Sequence, residues 1–201
     1  CANTTREAGA LAELAQEAGA DCLSVLTPLF IQPNSEQMFR HYQTIARAVD
    51  LPVLLYTNPD RTGNGISPDL VVRLAEEEDN IVGIKDSSGD LTLSAEYLRR
   101  TPDGFHVLMG RDTLIYAGLV HGASGAIAAS ANMAPELSVG IFENFVWGDL
   151  EKSLDYQRQL APLRLAFRLG TFPAMLKAGA ELCGLPAGPP RAPVGRLTPT
   201  E

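Results

Sequence analysis

Residues 81–90 read IVGIKDSSGD, and the pattern of this segment indicates one strand of the fold. Its first four residues are apolar or glycine, with β-branched side chains and no polar interruption. Such short apolar runs are typical of strands that are buried on both faces of a parallel sheet. The stretch therefore predicts a core strand that carries one polar residue, Lys85, at its carboxyl end.

The same arrangement occurs one strand earlier, where residues 51–63 read LPVLLYTNPDRTG. Here the apolar run ends in Tyr56 and is followed by turn-forming residues. Consecutive strands of a parallel sheet end at the same edge, so these ends are predicted to lie roughly 5 to 10 Å apart. Tyr56 and Lys85 are therefore expected to face one small substrate.

Segments with helical periodicity alternate with these strands along most of the chain. Strands are predicted over 21–26, 52–56, 81–85, 106–109 and 125–128, and helices over 5–18, 38–49, 67–77, 91–100 and 114–120. This alternation predicts a parallel sheet, either open and doubly wound or closed as a (β/α)8 barrel. Three helices follow, over 135–147, 150–167 and 172–182, and Pro162 is expected to break or kink the second.

Composition excludes several classes of partner. The 201-residue chain has a net charge of −8, and its basic residues are dispersed, which argues against nucleic acid and anionic membranes as partners. Apolar runs stay short of the roughly 18 residues of a membrane span. The three cysteines, Cys1, Cys22 and Cys183, are odd in number and far apart, as in a reduced protein. We therefore expect a cytoplasmic protein.

The position of Lys85 allows two interpretations. Burial disfavours the charged form of an amine, and a neutral amine can attack a ketone and form a Schiff base. A lysine at the rim of a sheet can also simply extend its ammonium group into water. Position alone leaves both open, but a tyrosine at the end of the preceding strand favours the Schiff base, because a phenol can transfer protons.

The chain resembles the pyruvate-dependent lyases, a family that includes 4-hydroxy-tetrahydrodipicolinate synthases and N-acetylneuraminate lyases. The resemblance rests on the motifs Tyr56–Gly63 and Gly83–Lys85, and it extends to residues 2–8, 27–28, 110–112 and 122–132. It implies a (β/α)8 TIM barrel with a C-terminal helical extension, whose first three strands would precede residue 1. Residues 1–130 would then form about five βα units of the barrel, and residues 131–201 the extension and tail.

The same resemblance implies roles for individual residues. Lys85 would form the Schiff base with a 2-keto acid, Tyr56 would relay protons, and Arg61 would hold the carboxylate of the second substrate. Arg61 could otherwise be a solvated turn residue. Further substrate contacts are expected at Gly110, Gly125 and Ile127, the last two through the backbone. Thr62 and Gly63 are interpreted as structural residues, and no cofactor is expected apart from the covalent Schiff base.

Other polar residues favour structural roles. Asp86 and Asp90 flank a turn, where carboxylates are typical helix caps, so we predict no metal site. Asp112 could line the pocket or cap the following helix. The histidines, His41, His106 and His121, are isolated and lack the spacing of a zinc motif. An open nucleotide-binding sheet is disfavoured because the chain lacks a Gly-x-Gly-x-x-Gly turn.

One segment departs from the synthase pattern. Where synthases usually read Thr-Pro-Tyr-Tyr, this chain reads Thr27-Pro28-Leu29-Phe30. The second tyrosine, which synthases donate across a dimer interface, is replaced by Phe30, which carries no exchangeable proton.

The resemblance implies, as the leading function, a Schiff-base-forming lyase that acts on pyruvate or another 2-keto acid and is most similar to the synthases that join pyruvate to aspartate semialdehyde. An aldolase acting on a 2-keto-3-deoxy sugar acid or on 4-hydroxy-2-oxoglutarate is the alternative within the enzymes. A non-catalytic homologue that binds a keto acid or serves in an assembly is the alternative of another class. The family implies a homotetramer, a dimer of dimers.

Overall fold

A computed structural model describes residues 2–198, so Cys1 lies outside the described residues. The strands are Leu23–Leu26 (β1), Val53–Thr57 (β2), Ile81–Asp86 (β3), His106–Met109 (β4) and Gly125–Ala126 (β5). The helices are Thr5–Glu17 (α1), Ser35–Ala46 (α2), Pro59–Thr62 (α3), Pro68–Glu77 (α4), Leu91–Arg100 (α5), Ile115–Val120 (α6), Pro135–Val146 (α7), Leu150–Ala166 (α8) and Ala174–Leu182 (α9). Short 3-10 turns cover Asp112–Leu114 and Ala129–Asn132.

All five strands form one parallel sheet in the order β1-β2-β3-β4-β5. A doubly wound sheet reverses its strand order at a switch point, whereas a (β/α)8 barrel adds each strand beside the previous one. The strictly sequential order therefore resolves the alternative that strand counting left open. It agrees with the predicted barrel class.

The two faces of the sheet differ in burial. Val53, Leu55 and Ile84 have no solvent exposure and pack in the main core, which also contains Tyr42 and Leu74 from the helices. Side chains alternate between the faces of a strand, so Tyr56 and Lys85 point away from this core. Both are only half-buried. The core thus fixes the strands from one side and leaves their polar ends open on the other.

Capping side chains define where the helices begin. Asn34 and Gln37 form a reciprocal capping box at the start of α2, and the Ser67 hydroxyl accepts a hydrogen bond from the Leu70 amide at the start of α4. At the start of α5, the Asp90 carboxylate accepts hydrogen bonds from the amides of Thr92 and Leu93. The prediction that Asp90 caps a helix is therefore confirmed. The same prediction for Asp86 is wrong, because its carboxylate accepts hydrogen bonds from the Ser88 amide and the Ser94 hydroxyl, neither of which is a backbone amide of the first turn of α5.

The C-terminal helices pack against α6 through a second core of Ile115, Leu119, Ile141 and Leu160. Pro162 does not break the helix, because α8 runs from Leu150 to Ala166 with Pro162 inside it, and the alternative, a kink at Pro162, stays a prediction. Buried residues such as Leu160 hold α8 in place, so packing outweighs the local preference of proline. The division of the chain near residue 130 stays a prediction.

The segment after β2 is more ordered than the predicted turn. Residues Pro59–Thr62 form the single-turn helix α3, and Gly63 ends it with a φ of 77°, in the left-handed region that favours glycine. The Thr62 hydroxyl is buried among Thr27, Asn58 and Asn64. The structural roles predicted for Thr62 and Gly63 are therefore confirmed. Within residues 2–198, none of the helices combines the length and apolar character that crossing a membrane requires.

Candidate active site

The ends of β2 and β3 bring the two predicted catalytic side chains into contact. Tyr56 and Lys85 are paired residues in the register of the two strands. The Lys85 Nζ atom lies 4.1 Å from the centre of the Tyr56 ring. An amine and a phenol are thus held together at the carboxyl edge of the sheet, where α/β proteins place their ligand sites.

Two further polar side chains surround the Tyr56 phenol. The Asn58 Nδ2 group donates a hydrogen bond to the Tyr56 hydroxyl at 3.2 Å. Burial raises the pKa of Tyr56, but hydrogen bonds with Asn58 and Ser87 and the charge of Lys85 outweigh burial. The net pKa of Tyr56 lies below its ordinary value of 10.0. The phenol is therefore better able to give up and take back a proton.

Sequence reasoning missed Asn58 and Ser87, although a signal was present. Asn58 follows Tyr56 by two residues, and Ser87 follows Lys85 by two. Residues two apart along an extended chain point to the same side, so each would be expected beside the predicted catalytic side chain that precedes it.

A cavity of about 680 Å³ opens at this edge of the sheet. Five of the six predicted site residues line it: Tyr56, Arg61, Lys85, Gly110 and Ile127. The sixth, Gly125, is buried in β5 and is not among the lining residues. The structure therefore assembles most of the predicted site, and any contact of Gly125 with substrate stays a prediction.

Gly110 allows the strands to approach closely in the cavity wall. A Cβ atom added at this position would collide with the Ser87 hydroxyl and lie 2.8 Å from the Asp86 carbonyl oxygen. Glycine is thus required here because the neighbouring strand end occupies the space of a side chain.

Arg61 stands on α3 at the mouth of the cavity. Its guanidinium carbon lies 5.5 Å from the centre of the Phe172 ring. Stacking of this kind orients the planar guanidinium group and leaves its edge free to donate hydrogen bonds. Within residues 2–198, the Arg61 side chain forms no ion pair. It can therefore receive a substrate carboxylate.

Asp112 lines the cavity and holds its wall together. Its buried carboxylate accepts hydrogen bonds from the Ser130 amide at 2.8 Å and from the Ser130 hydroxyl at 2.5 Å. The Arg164 Nε group pairs with the same carboxylate at 3.1 Å. The alternative that Asp112 caps α6 is wrong, because α6 begins after Leu114 without a side-chain cap.

Within the described part of the chain, histidine, cysteine and acidic side chains do not gather into a group of three that could hold a metal ion. The chemistry that the site offers is instead that of an amine, a phenol and several guanidinium groups. An amine can form a covalent adduct with a carbonyl, a phenol can relay protons, and guanidinium groups bind carboxylate or phosphate oxygens.

Comparison with known proteins identifies relatives of this chain. The 4-hydroxy-tetrahydrodipicolinate synthase of Methanopyrus kandleri is 40% identical over 192 residues, which cover 96% of this chain and 64% of the relative. The synthase of Archaeoglobus fulgidus is 41% identical over 98% of this chain and 68% of its own. The chain thus spans about two thirds of the length of these relatives.

Solved structures of other proteins also superpose on this chain. Dihydrodipicolinate synthase from Thermotoga maritima superposes with a TM-score of 0.95 at 30% identity, covering 98% of this chain and 68% of that one. YagE, an E. coli protein of the same family solved with pyruvate, superposes with a TM-score of 0.94 at 32% identity and the same coverage. The pattern of the dihydrodipicolinate synthetase family matches residues 1–201. The chain therefore belongs to the dihydrodipicolinate synthetase family.

Proposed function

We propose that the protein is a lyase that forms a Schiff base between Lys85 and pyruvate or another 2-keto acid. The observation that carries this proposal is the contact of the Lys85 amine with the Tyr56 ring at the open edge of the sheet. Family membership and the relatives named as synthases support it.

The proposed reaction begins when the neutral Lys85 amine attacks the keto carbon of pyruvate. A carbon–nitrogen bond forms, the keto oxygen leaves as water, and an iminium ion results. The iminium draws electrons from the neighbouring methyl carbon, which loses a proton and becomes an enamine. The enamine carbon then attacks the aldehyde carbon, and hydrolysis of the product iminium returns the Lys85 amine.

Tyr56 serves as the proton relay in this proposal. Its phenol gives a proton to the departing keto oxygen, the resulting phenolate takes up the proton that the methyl carbon loses, and the phenol then gives this proton to the oxygen of the attacked aldehyde. A lowered pKa suits this role because the phenolate must form transiently between the two transfers. Arg61 holds the carboxylate of the aldehyde, and the backbone near Gly110, Gly125 and Ile127 holds that of the keto acid.

Two aldehyde partners are candidates. Aspartate semialdehyde is the partner of 4-hydroxy-tetrahydrodipicolinate synthase, the activity for which the similar relatives are named. Phe30 favours the second candidate, an aldolase acting on a 2-keto-3-deoxy sugar acid or on 4-hydroxy-2-oxoglutarate, because a phenyl ring cannot replace the proton-carrying tyrosine of the synthase pattern. The proposed assembly is a homotetramer, a dimer of dimers, and the cytoplasm stays the predicted compartment.

Borohydride reduction in the presence of pyruvate tests the proposal. Protein expressed from the complete reading frame is reduced, digested and analysed by peptide mass spectrometry. We expect a reduced pyruvyl adduct on the peptide that contains Lys85. The adduct should be absent in Lys85→Ala and retained in Lys152→Ala, which changes an exposed lysine of α8. Folded protein that gives no adduct would refute the lyase and favour a non-catalytic homologue that binds keto acids.

A further inference from the structure

Arg111 connects three strand ends at the edge of the cavity. It follows β4 and lines the cavity beside Lys85. Its Nε group donates a hydrogen bond to the Ser87 carbonyl oxygen at 2.9 Å, and its Nη2 group donates one to the Ser88 carbonyl oxygen at 3.4 Å. The same Nη2 group forms an ion pair with Asp60 on α3. One guanidinium group thus connects the end of β4 to the loop after β3 and to the helix after β2.

The loop after β3 leaves room for this side chain. Gly89 has a φ of 82°, in the left-handed region that favours glycine. A Cβ atom added to Gly89 would lie 3.1 Å from the Arg111 Nε atom, closer than an ordinary van der Waals contact. The Arg111 side chain is only 26% exposed, although arginine side chains are mostly exposed in proteins. The guanidinium group is therefore held in one place by the backbone around it.

The helix α3 depends on contacts outside itself. It has four residues and begins without a side-chain cap. Isolated helices shorter than about 12 to 15 residues are marginal in water, so a single turn must be held by its surroundings. At its end, the Thr62 hydroxyl accepts a hydrogen bond from the Thr27 hydroxyl at 2.9 Å. At its start, Asp60 is tied to Arg111. Arg61 stands between these two tethers.

The ion pair between Asp60 and Arg111 affects the site more than the fold. The Asp60 side chain is 64% exposed, and exposed ion pairs contribute little to the free energy of unfolding. The pair nevertheless fixes the turn on which Arg61 stands, because Arg111 is anchored on two backbone carbonyl oxygens of the neighbouring loop. A small displacement of a group that binds substrate can lower the rate of an enzyme up to about 100-fold.

We propose that Arg111 is a positioning residue that acts through Asp60 and holds α3 in the orientation in which Arg61 binds the carboxylate of the aldehyde partner. The inference rests on the proposed lyase function, in which Arg61 has that role. Arg111 does not itself bind the substrate in this inference, because its charge is balanced by Asp60 and its Nε donor is used by the Ser87 carbonyl oxygen.

Substitution of Asp60 tests the inference, because it cuts the tether and leaves every arginine in place. Condensation of pyruvate with glyoxylate and with aspartate semialdehyde, which both carry a carboxylate, is measured with protein from the complete reading frame. For the aldehyde that reacts faster, Asp60→Asn should raise the KM about 5-fold and leave kcat unchanged. Charge alone predicts the opposite sign, because removing a carboxylate from the cavity wall favours the binding of an anion.

Two further variants complete the test. Arg111→Gln should raise the same KM, and the double variant with Asp60→Asn should resemble Arg111→Gln alone, because both substitutions break one tether. Asp69→Asn is the matched control, since it removes an exposed carboxylate that pairs with Arg100 outside the cavity. It should leave the KM unchanged.

The inference requires both Asp60→Asn and Arg111→Gln to raise the KM. If only Arg111→Gln raises it, Arg111 contacts the substrate directly and the inference is overturned. It is also overturned if protein that forms the pyruvyl adduct on Lys85 condenses neither aldehyde, because Arg61 then holds no carboxylate. Absence of the adduct is a separate result, which refutes the lyase proposal and, with it, this inference.

Discussion

The Tyr56 phenol lies among groups with opposing effects on its ionisation. Burial favours the neutral form, whereas the Asn58 amide, the Ser87 hydroxyl and Lys85 favour the phenolate, and their combined effect lowers the pKa. The Asn58 Nδ2 group donates a hydrogen bond to the Tyr56 hydroxyl at 3.2 Å, and this bond is the largest of the effects that lower the pKa of Tyr56. Substitution of Asn58 is therefore the most direct way to change the pKa of this phenol.

We predict that Asn58→Ala raises the pKa of Tyr56. The substitution removes a hydrogen bond that stabilises the charged form, so ionisation moves to higher pH. Ultraviolet titration of tyrosine measures the change, with Tyr56→Phe in both backgrounds to isolate the signal of this one residue. An unchanged titration of Tyr56 in Asn58→Ala would show that the amide does not stabilise the phenolate.

A second prediction concerns Gly110, where a side chain has no room. Gly110→Ala places a Cβ atom against the Ser87 hydroxyl and the Asp86 carbonyl, so the strand ends must separate. We expect a loss of about 1 to 3 kcal/mol in the free energy of unfolding, as for overpacked cores, and slower trapping of pyruvate by Lys85. Denaturant unfolding and borohydride trapping measure the two effects. Gly65→Ala, which adds a Cβ in open space, should change neither.

At the level of single residues, local pattern predicted some of the site and missed the rest for a physical reason. Lys85 and Tyr56 end buried strands, so their position follows from period and burial alone. Arg164 and Arg168 come from a helix and a connection far along the chain, and only tertiary packing brings them to the same cavity. The sequence of a single chain does not indicate which distant residues come into contact, so the position of these two arginines at the cavity could not be predicted from it.

An ion pair between Arg47 and Glu78 links the C-terminal ends of α2 and α4. The Glu78 carboxylate accepts hydrogen bonds from Gln43 at 2.7 Å and from the Arg47 Nε group at 3.0 Å, so α2 and α4 are tied together. Burial raises the pKa of Glu78, but the hydrogen bonds from Arg47 and Gln43 outweigh it and hold the pKa below 4.5. The charged form of Glu78 therefore stabilises the folded state.

We predict that this contribution depends on pH. Because the folded pKa is lowered, the stabilisation is present above the ordinary pKa of 4.5 and is lost as the pH falls through the folded value. Glu78→Gln should lower the free energy of unfolding at neutral pH by about 1 kcal/mol, since Arg47 is largely exposed. The difference from the unmodified protein should vanish in acid.

Denaturant unfolding across this pH range measures the effect. Glu77→Gln is the matched control, because it removes an ion pair with Arg73 in which both side chains are exposed. It should have a smaller effect at every pH. If the two substitutions lower the free energy of unfolding by the same amount at every pH, buried Glu78 has no special role.

Among the elements, those with a clear hydrophobic pattern were predictable, whereas α3 and the end of β5 were not. The strand His106–Met109 and the helix Leu91–Arg100 have the predicted bounds. The helix α3 was missed because four residues are too few to show a helical period. The last strand ends at Ala126, two residues earlier than predicted, because a 3-10 turn begins at Ala129 and draws the chain out of the sheet.

For the whole molecule, the order of the strands in the sheet could not be predicted from composition or from hydrophobic periodicity. Alternating helices and strands fit both an open sheet and a barrel, since each βαβ unit is the same in either. The sequential order of five parallel strands distinguishes them. The motifs around Tyr56 and Lys85 nevertheless predict the barrel through family resemblance, because the family combines these motifs with this barrel.

Assembly leads to the last prediction, which concerns Phe30. Its side chain is 92% exposed, and its backbone has a φ of 70°, an uncommon conformation for a bulky residue. Covering a phenylalanine side chain contributes about 1.5 to 3 kcal/mol, so a second copy that packs on this loop would stabilise both chains. The synthase pattern places an interface residue at the same position.

We therefore expect Phe30→Asp to shift the protein toward smaller assemblies. A carboxylate buried in an apolar contact loses its hydration without a partner, which opposes association. Sedimentation velocity of protein from the complete reading frame measures the change. Val120→Asp, which alters an exposed apolar residue of α6, is the control and should keep the assembly of the unmodified protein. If Phe30→Asp sediments like the unmodified protein, Phe30 is not part of the contact between subunits, and its exposure must then be explained within the single chain.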